Sequence, residues 1–143
     1  MTRFFQCLYE WFGLIPIYSK DMAEFLKGMD VSCTGYYALP WYFYVGVFML
    51  VVTFILFMIQ YDLISGKRFP KNEHWELAAL VVVIVNFALA FTVPFVAHET
   101  KFYCPNLQIS TLDCIGFGVS NAIWALVLFS VLSLIQRLRM KIG

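Results

Sequence analysis

Residues 41–61 read WYFYVGVFMLVVTFILFMIQY, an apolar run in which only Thr53 and Gln60 are notably polar. Coiled into a helix at 1.5 Å of rise per residue, such a run crosses a hydrocarbon core of about 30 Å. Pro40 stands just before it, where a missing amide donor costs least. Trp41, Tyr42 and Tyr44 mark one water–lipid boundary, and Tyr61 marks the other.

Further along the chain, residues 75–97 and 117–136 have the same character. The first of these has Asn72 as a candidate N-cap, Glu73 in the opening turn and Trp75 at a boundary. Pro94 near its far end favours a kink. The second closes on Gln136-Arg137-Leu138-Arg139. Gly118, Ala122 and Ala125 form a small-residue stripe on it, the pattern that lets two membrane helices approach closely, although small residues in a span also occur without that role.

Before residue 41 the reading is less direct. Residues 4–19 are apolar but short, about 24 Å as a helix. Arg3, Gln6, Glu10 and Gly13 fall on one stripe, with Phe4, Phe5, Leu8, Trp11, Phe12 and Ile15 on the other faces. An amphipathic helix of this kind either lies in the membrane plane or spans with its polar stripe turned to the bundle. Charge parity favours the span. Arg3, Lys67, Arg68, Lys71, Arg137, Arg139 and Lys141 then fall on one side, leaving Lys20, Lys27 and Lys101 on the other. Cytoplasmic segments carry the excess of Lys and Arg, so both termini and the central loop are expected inside.

Composition agrees. Of 143 residues, 62% are hydrophobic and 13% charged, with mean hydropathy +0.77, whereas a soluble domain carries about 25% charged residues. The expected fold is all-α: a single polytopic membrane domain over residues 1–143, with four spans at 4–19, 41–61, 75–97 and 117–136. The outer loops are 20–40 and 98–116, and the cytoplasmic loop is 62–74. In the first outer loop, Asp21 and Glu24 have capping-box spacing, Met22, Phe25, Leu26 and Met29 form an apolar face, and Gly28 is placed to end the turn. A short helix lying on the outer membrane surface or capping the bundle is expected there. No small-residue cleavage site follows Ile15-Pro16-Ile17-Tyr18, so the N-terminal stretch reads as retained. No N-x-[ST] glycosylation acceptor occurs.

Cysteine is the first candidate chemistry. Cys33, Cys104 and Cys114 fall outside by this topology, and Cys7 lies in the inner half of the first stretch. Cys104 and Cys114 share one loop with Pro105 between them, which favours that pair as a disulfide staple; Cys33 with either would tie the two outer loops together. The C-x-x-C of a dithiol exchange site is missing. Glu10, an ionisable group inside a membrane segment, is a functional candidate by default. Gln6 shares its stripe, and Asn86, at the middle of the third span, is its natural partner. A structural interhelical hydrogen bond of about 0.6 kcal/mol is the plainer role for such groups.

His74 and His98 lie on opposite faces and cannot share a metal, and the ligand spacing around His98, Glu99, Cys104 and Asp113 supports none. No cofactor is expected. The basic loop Ser65-Gly66-Lys67-Arg68-Phe69-Pro70-Lys71 is a topology signal that meets anionic headgroups, or else it docks a cytoplasmic partner. No run of like charge points to nucleic acid.

Asp21-Met22 with Phe25, Gly66-Lys67-Arg68-Phe69 in the central loop, and Phe102-Tyr103-Cys104 with Cys114 give a layout that resembles a family of uncharacterised small bacterial inner-membrane proteins with four spans. Some proteins of this general build are immunity proteins for pore-forming toxins or membrane parts of anti-phage systems. The resemblance implies a bacterial inner membrane and no enzyme activity.

Three functions fit these residues. A non-enzymatic membrane protein would work through helix contacts with itself or another membrane protein, as an immunity, defence-sensing or accessory subunit. A homo-oligomeric channel would line its path with Gln6, Glu10 and Gly13 from several copies. A thiol–quinone oxidoreductase would use the outer cysteines.

Overall fold

The computed structural model describes residues 1–15, 17–28, 39–64, 72–101, 103 and 105–142. Among the described residues it is all-helical. Two short helices, α1 (Thr2–Tyr9) and α2 (Lys20–Lys27), precede three long ones, α3 (Trp41–Met58), α4 (Asn72–Thr100) and α5 (Thr111–Ile142).

Three segments are long and apolar enough to cross a membrane: Trp41–Asp62, Glu73–Thr100 and Thr111–Ile142. Their apolar surface is mostly turned outward. Phe48, Phe54 and Ile84 are more than half exposed, an arrangement that hydrocarbon tolerates and water does not. Together these features make the chain an integral membrane protein.

The residues before 41 do not form the continuous helix expected over 4–19. α1 stops at Tyr9, and its eight residues reach about 12 Å, far short of a bilayer core. A tight turn, Trp11–Gly13, follows, with three consecutive left-handed residues: Trp11 at φ 52°, Phe12 at φ 56° and Gly13 at φ 76°. Left-handed backbone reverses the chain and cannot continue a right-handed helix. Side-chain periodicity carries no sign of this, which is why an unbroken amphipathic helix was the natural expectation.

α2 begins at Ser19, whose hydroxyl accepts from the Met22 amide, rather than at Asp21. It ends at Gly28 with φ 72°, the left-handed closure glycine adopts most readily. Its Met22, Phe25 and Leu26 are buried. α3 opens on Pro40, whose carbonyl accepts from Phe43 and Tyr44, and runs on through a wide turn, Ile59–Ile64. Pro94 lies inside α4 without ending it.

α5 begins at Thr111, well before the expected 117. The signal is Ser110 with Asp113: the Ser110 hydroxyl accepts from the Asp113 amide, and the Asp113 carboxylate accepts from the Ser110 amide and hydroxyl. This reciprocal cap absorbs orphan donors at the helix start. The outer loop expected over 98–116 therefore shrinks, because residues 98–100 and 111–116 are helical.

The bundle has a Pro40 end, where α3 and α5 begin, and a His74 end, where α4 begins. The larger core lies toward the Pro40 end and joins Phe5, Tyr9, Phe25, Leu26, Tyr42 and Phe117. A second core joins Met49, Ala79, Val82, Ala125 and Phe129. The stripe expected to mediate helix approach is used within the chain: a Cβ on Gly118 would sit 2.9 Å from the Phe87 ring of α4, and Ala122 and Ala125 are buried.

Candidate functional site

The backbone break after α1 leaves polar groups inside an apolar bundle, and each needs a partner. α5 supplies them. The Trp124 indole donates to the Leu8 carbonyl at 2.9 Å, and the Ser120 hydroxyl donates to the Tyr9 carbonyl at 3.4 Å. Ser120 Oγ also accepts from the Trp11 indole at 3.0 Å, and the Trp11 and Trp124 rings lie 5.2 Å apart. Within the turn, Gly13 donates to the Glu10 carbonyl and Leu14 to the Trp11 carbonyl. The left-handed turn is thus held by indole bonds and ring contacts on both sides.

Beyond the turn the chain runs along α5 toward the Pro40 end. At Gly116 the Ile17 carbonyl comes so close that an added Cβ would lie 2.5 Å from it. Ser19 then donates its amide to Asp113 at 2.8 Å, and Asp21 accepts from the Gln108 amide at 3.0 Å. The whole N-terminal segment is therefore seated on the Pro40 half of the bundle.

Two polar clusters result. In the first, Glu10 accepts from Gln6 at 3.3 Å and from the Tyr42 hydroxyl at 3.3 Å, and pairs with Lys27 at 3.5 Å. Tyr18 and Tyr42 share a 2.8 Å hydrogen bond. Since Tyr42 donates to Glu10, Tyr18 donates to Tyr42. Burial, above all, pushes the Tyr18 hydroxyl well above its ordinary 10.0; the nearby Glu10 charge pushes the same way, against the Tyr42 bond. Burial likewise raises Tyr9, helped by Tyr18.

Deeper in the bundle lies the second cluster. The Tyr9 hydroxyl donates to Asn121 Oδ1 at 2.6 Å, Asn121 donates to the Asn86 carbonyl at 2.8 Å, and Asn86 donates to Thr53 at 3.3 Å and to the Val82 carbonyl at 2.9 Å. All four side chains are buried. Tyr9 and Tyr42 stack at 5.8 Å, so the two clusters abut through their rings.

Of the intramembrane residues singled out by sequence, Gln6 and Glu10 meet, and Asn86 does not join them. Its partners are Thr53 and the Asn121 side chain, while Glu10 sits toward the Pro40 end with Tyr42 and Lys27. Tyr9, the residue before Glu10, reaches Asn121 beside Asn86, whereas the Glu10 carboxylate faces Tyr42 and Lys27. Cys114, placed on a loop by sequence, lies in the second turn of α5, buried in the larger core with a free thiol; Cys7 is also free, and no disulfide is seen among the described residues. Cys33, Cys104, Lys67, Arg68 and Lys71 lie outside the described residues. Arg137, Arg139 and Lys141 line the exposed last turns of α5. No group of three His, Cys, Asp or Glu able to hold a metal ion occurs among the described residues.

Sequence reading missed Tyr9, Tyr18 and Lys27 as members of the site, and took Tyr42 for a boundary marker alone. The available signal was chemical: a tyrosine inside an apolar stretch must find a partner for its hydroxyl. Beside the Glu10 cluster a cavity of about 330 Å³ opens between Ile15, residues 17–19, α2 and the end of α1. It holds both signs of charge, from Glu10 and Glu24 and from Lys20 and Lys27.

Compared with models of protein families, with curated proteins and with solved structures, the chain matches none.

Proposed function

We propose that this chain is a non-enzymatic inner-membrane protein with three spans, acting through contacts with another membrane protein or with itself. Immunity to a toxin, defence sensing and service as an accessory subunit are forms of that role. The observation that carries it is the seating of the N-terminal segment: its polar groups are spent on hydrogen bonds to α3 and α5, and they hold a receiving surface together.

Three spans put the segment before α3 and the end of α5 on opposite sides. In sequence, Lys67, Arg68 and Lys71 fall between α3 and α4 and Arg137, Arg139 and Lys141 close α5, six basic residues against Arg3, Lys20, Lys27 and Lys101 before α3 or between α4 and α5. The excess favours a cytoplasmic His74 end, with the C-terminus inside and the Glu10 cluster facing outward. The bacterial membrane is suggested by the family resemblance alone.

A channel is the second reading, favoured by the buried Tyr9–Asn121–Asn86–Thr53 cluster. In one copy this cluster meets the apolar layer of Met49, Val82, Ala125 and Phe129, so a path would need several copies around a shared axis.

The test is purification of the tagged protein from its native host in mild detergent, with the particle mass and its companions measured. A stoichiometric second membrane protein, lost from a Glu10→Leu variant, supports the contact role. A homo-oligomer that conducts ions in liposomes replaces it with the channel.

A further inference from the structure

On α2, Lys20, Ala23, Glu24 and Lys27 follow helical spacing and line the cavity, opposite the buried Met22, Phe25 and Leu26. Lys27 is engaged with Glu10. Lys20 and Glu24 stand one turn apart on the same face and make no ion pair among the described residues. The charged lining sums to zero, two carboxylates and two ammonium groups. Next to this rim, Phe12, Leu14 and Ile15 are exposed at 66%, 80% and 56%. A charged, net-neutral recess beside an exposed apolar strip matches a molecule that carries a phosphate, an ammonium group and hydrocarbon chains together.

We infer that the cavity between α2, Ile15 and residues 17–19 binds the headgroup of a zwitterionic phospholipid, with its chains lying over Phe12, Leu14 and Ile15. The phosphate pairs with Lys20, and the ammonium donates to Glu24. A primary ammonium has three N–H donors for carboxylate oxygens, whereas a quaternary one has none. Phosphatidylethanolamine is therefore the fitting occupant. An anionic lipid would bring an unmatched charge to a neutral rim. The site rests on the membrane reading above, because chains and headgroup must meet the protein at one bilayer surface.

The experiment is native mass spectrometry of the full chain, delipidated and then offered an equimolar mixture of phosphatidylethanolamine, phosphatidylcholine and phosphatidylglycerol. The expected result is a preference of about fivefold for phosphatidylethanolamine, below the tenfold of a fully buried charged hydrogen bond because the rim is open to solvent. Glu24→Gln should abolish that preference, and Lys20→Gln should weaken retention of all three lipids alike, each at unchanged helix content by circular dichroism. Equal retention of the three lipids, a Glu24→Gln variant that keeps the preference, or a Lys20→Gln variant that holds lipid as well as the native chain, would overturn the site. So would soluble glycerophosphoethanolamine competing as well as the whole lipid, since the occupant would then be a free headgroup. Orientation is read separately. A Lys101→Cys variant on a background with the native cysteines replaced by serine should react with an impermeant maleimide in intact cells. Failure to label sinks the proposed sidedness and leaves the lipid ranking to decide the site.

Discussion

Tyr9 and Asn121, 112 positions apart in the chain, meet through a 2.6 Å hydrogen bond in the buried interior. The bond joins the end of α1 to the second half-turn past Gly118 on α5, and it fixes how far the N-terminal segment enters the bundle. Tyr9→Phe keeps the ring and removes the donor, leaving Asn121 Oδ1 buried without it. The expected cost is about 1–2 kcal/mol, read from thermal unfolding in a fixed detergent. Combining it with Asn121→Ala in a double-mutant cycle should give less than the sum of the single effects. Additive losses would mean the two side chains do not act on each other.

Gly116 and Gly118 should respond differently to alanine. At Gly116 the obstacle is the Ile17 carbonyl, a backbone atom 2.5 Å from the added methyl. At Gly118 it is the edge of the Phe87 ring, 2.9 Å away, which has side-chain torsions to yield with. Gly116→Ala is therefore expected to cost about 1–3 kcal/mol and to loosen residues 17–19, with Gly118→Ala milder. Limited proteolysis of the N-terminal segment would report the difference. Equal resistance to protease in the two variants would contradict the close approach at Ile17.

Phe12 offers the opposite sign. It sits at φ 56° and is 66% exposed, so its side chain contributes little packing within the chain while its backbone is strained. Phe12→Gly should stabilise the folded chain by about 0.5–1 kcal/mol in detergent, because glycine adopts that conformation freely. A lower melting temperature for this variant would show that the backbone there is not left-handed.

The tyrosines set an alkaline limit. Tyr9 and Tyr18 hold their protons above the ordinary value of 10.0, chiefly through burial. A raised folded value means the folded state binds the proton more tightly. That contribution is complete below about pH 10 and is lost as pH rises through the folded values. Melting temperature should fall above that point, and Tyr18→Phe should make the fall shallower. Phenolate absorbance appearing only together with unfolding would be the accompanying spectroscopic sign.

The three spans were legible because length and hydropathy are summed along the chain and need no tertiary information. Residues 41–61 show it: the expected stretch and the observed Trp41–Asp62 nearly coincide. The first stretch was illegible for a local reason. Trp11 and Phe12 are poor candidates for left-handed backbone, and they adopt it because Ser120 and Trp124, more than a hundred positions away, bond and stack against the turn. Glu10, at the end of α1, found Tyr42 and Lys27 rather than Asn86, a choice of partner that spacing along one helix does not reveal. Capping chemistry at Ser110 and Asp113 was readable and went unread, which cost the first turns of α5.

The seat of the N-terminal segment on α5 also orders events during synthesis. Residues 2–19 leave the ribosome before α5 does, yet the groups that satisfy them, Asp113, Ser120, Asn121 and Trp124, belong to α5. Until α5 is inserted, the Leu8 and Tyr9 carbonyls and the Trp11 indole have only water or headgroups to bond. This segment therefore waits at the membrane surface until α5 arrives, so its docking reports that α5 is in place.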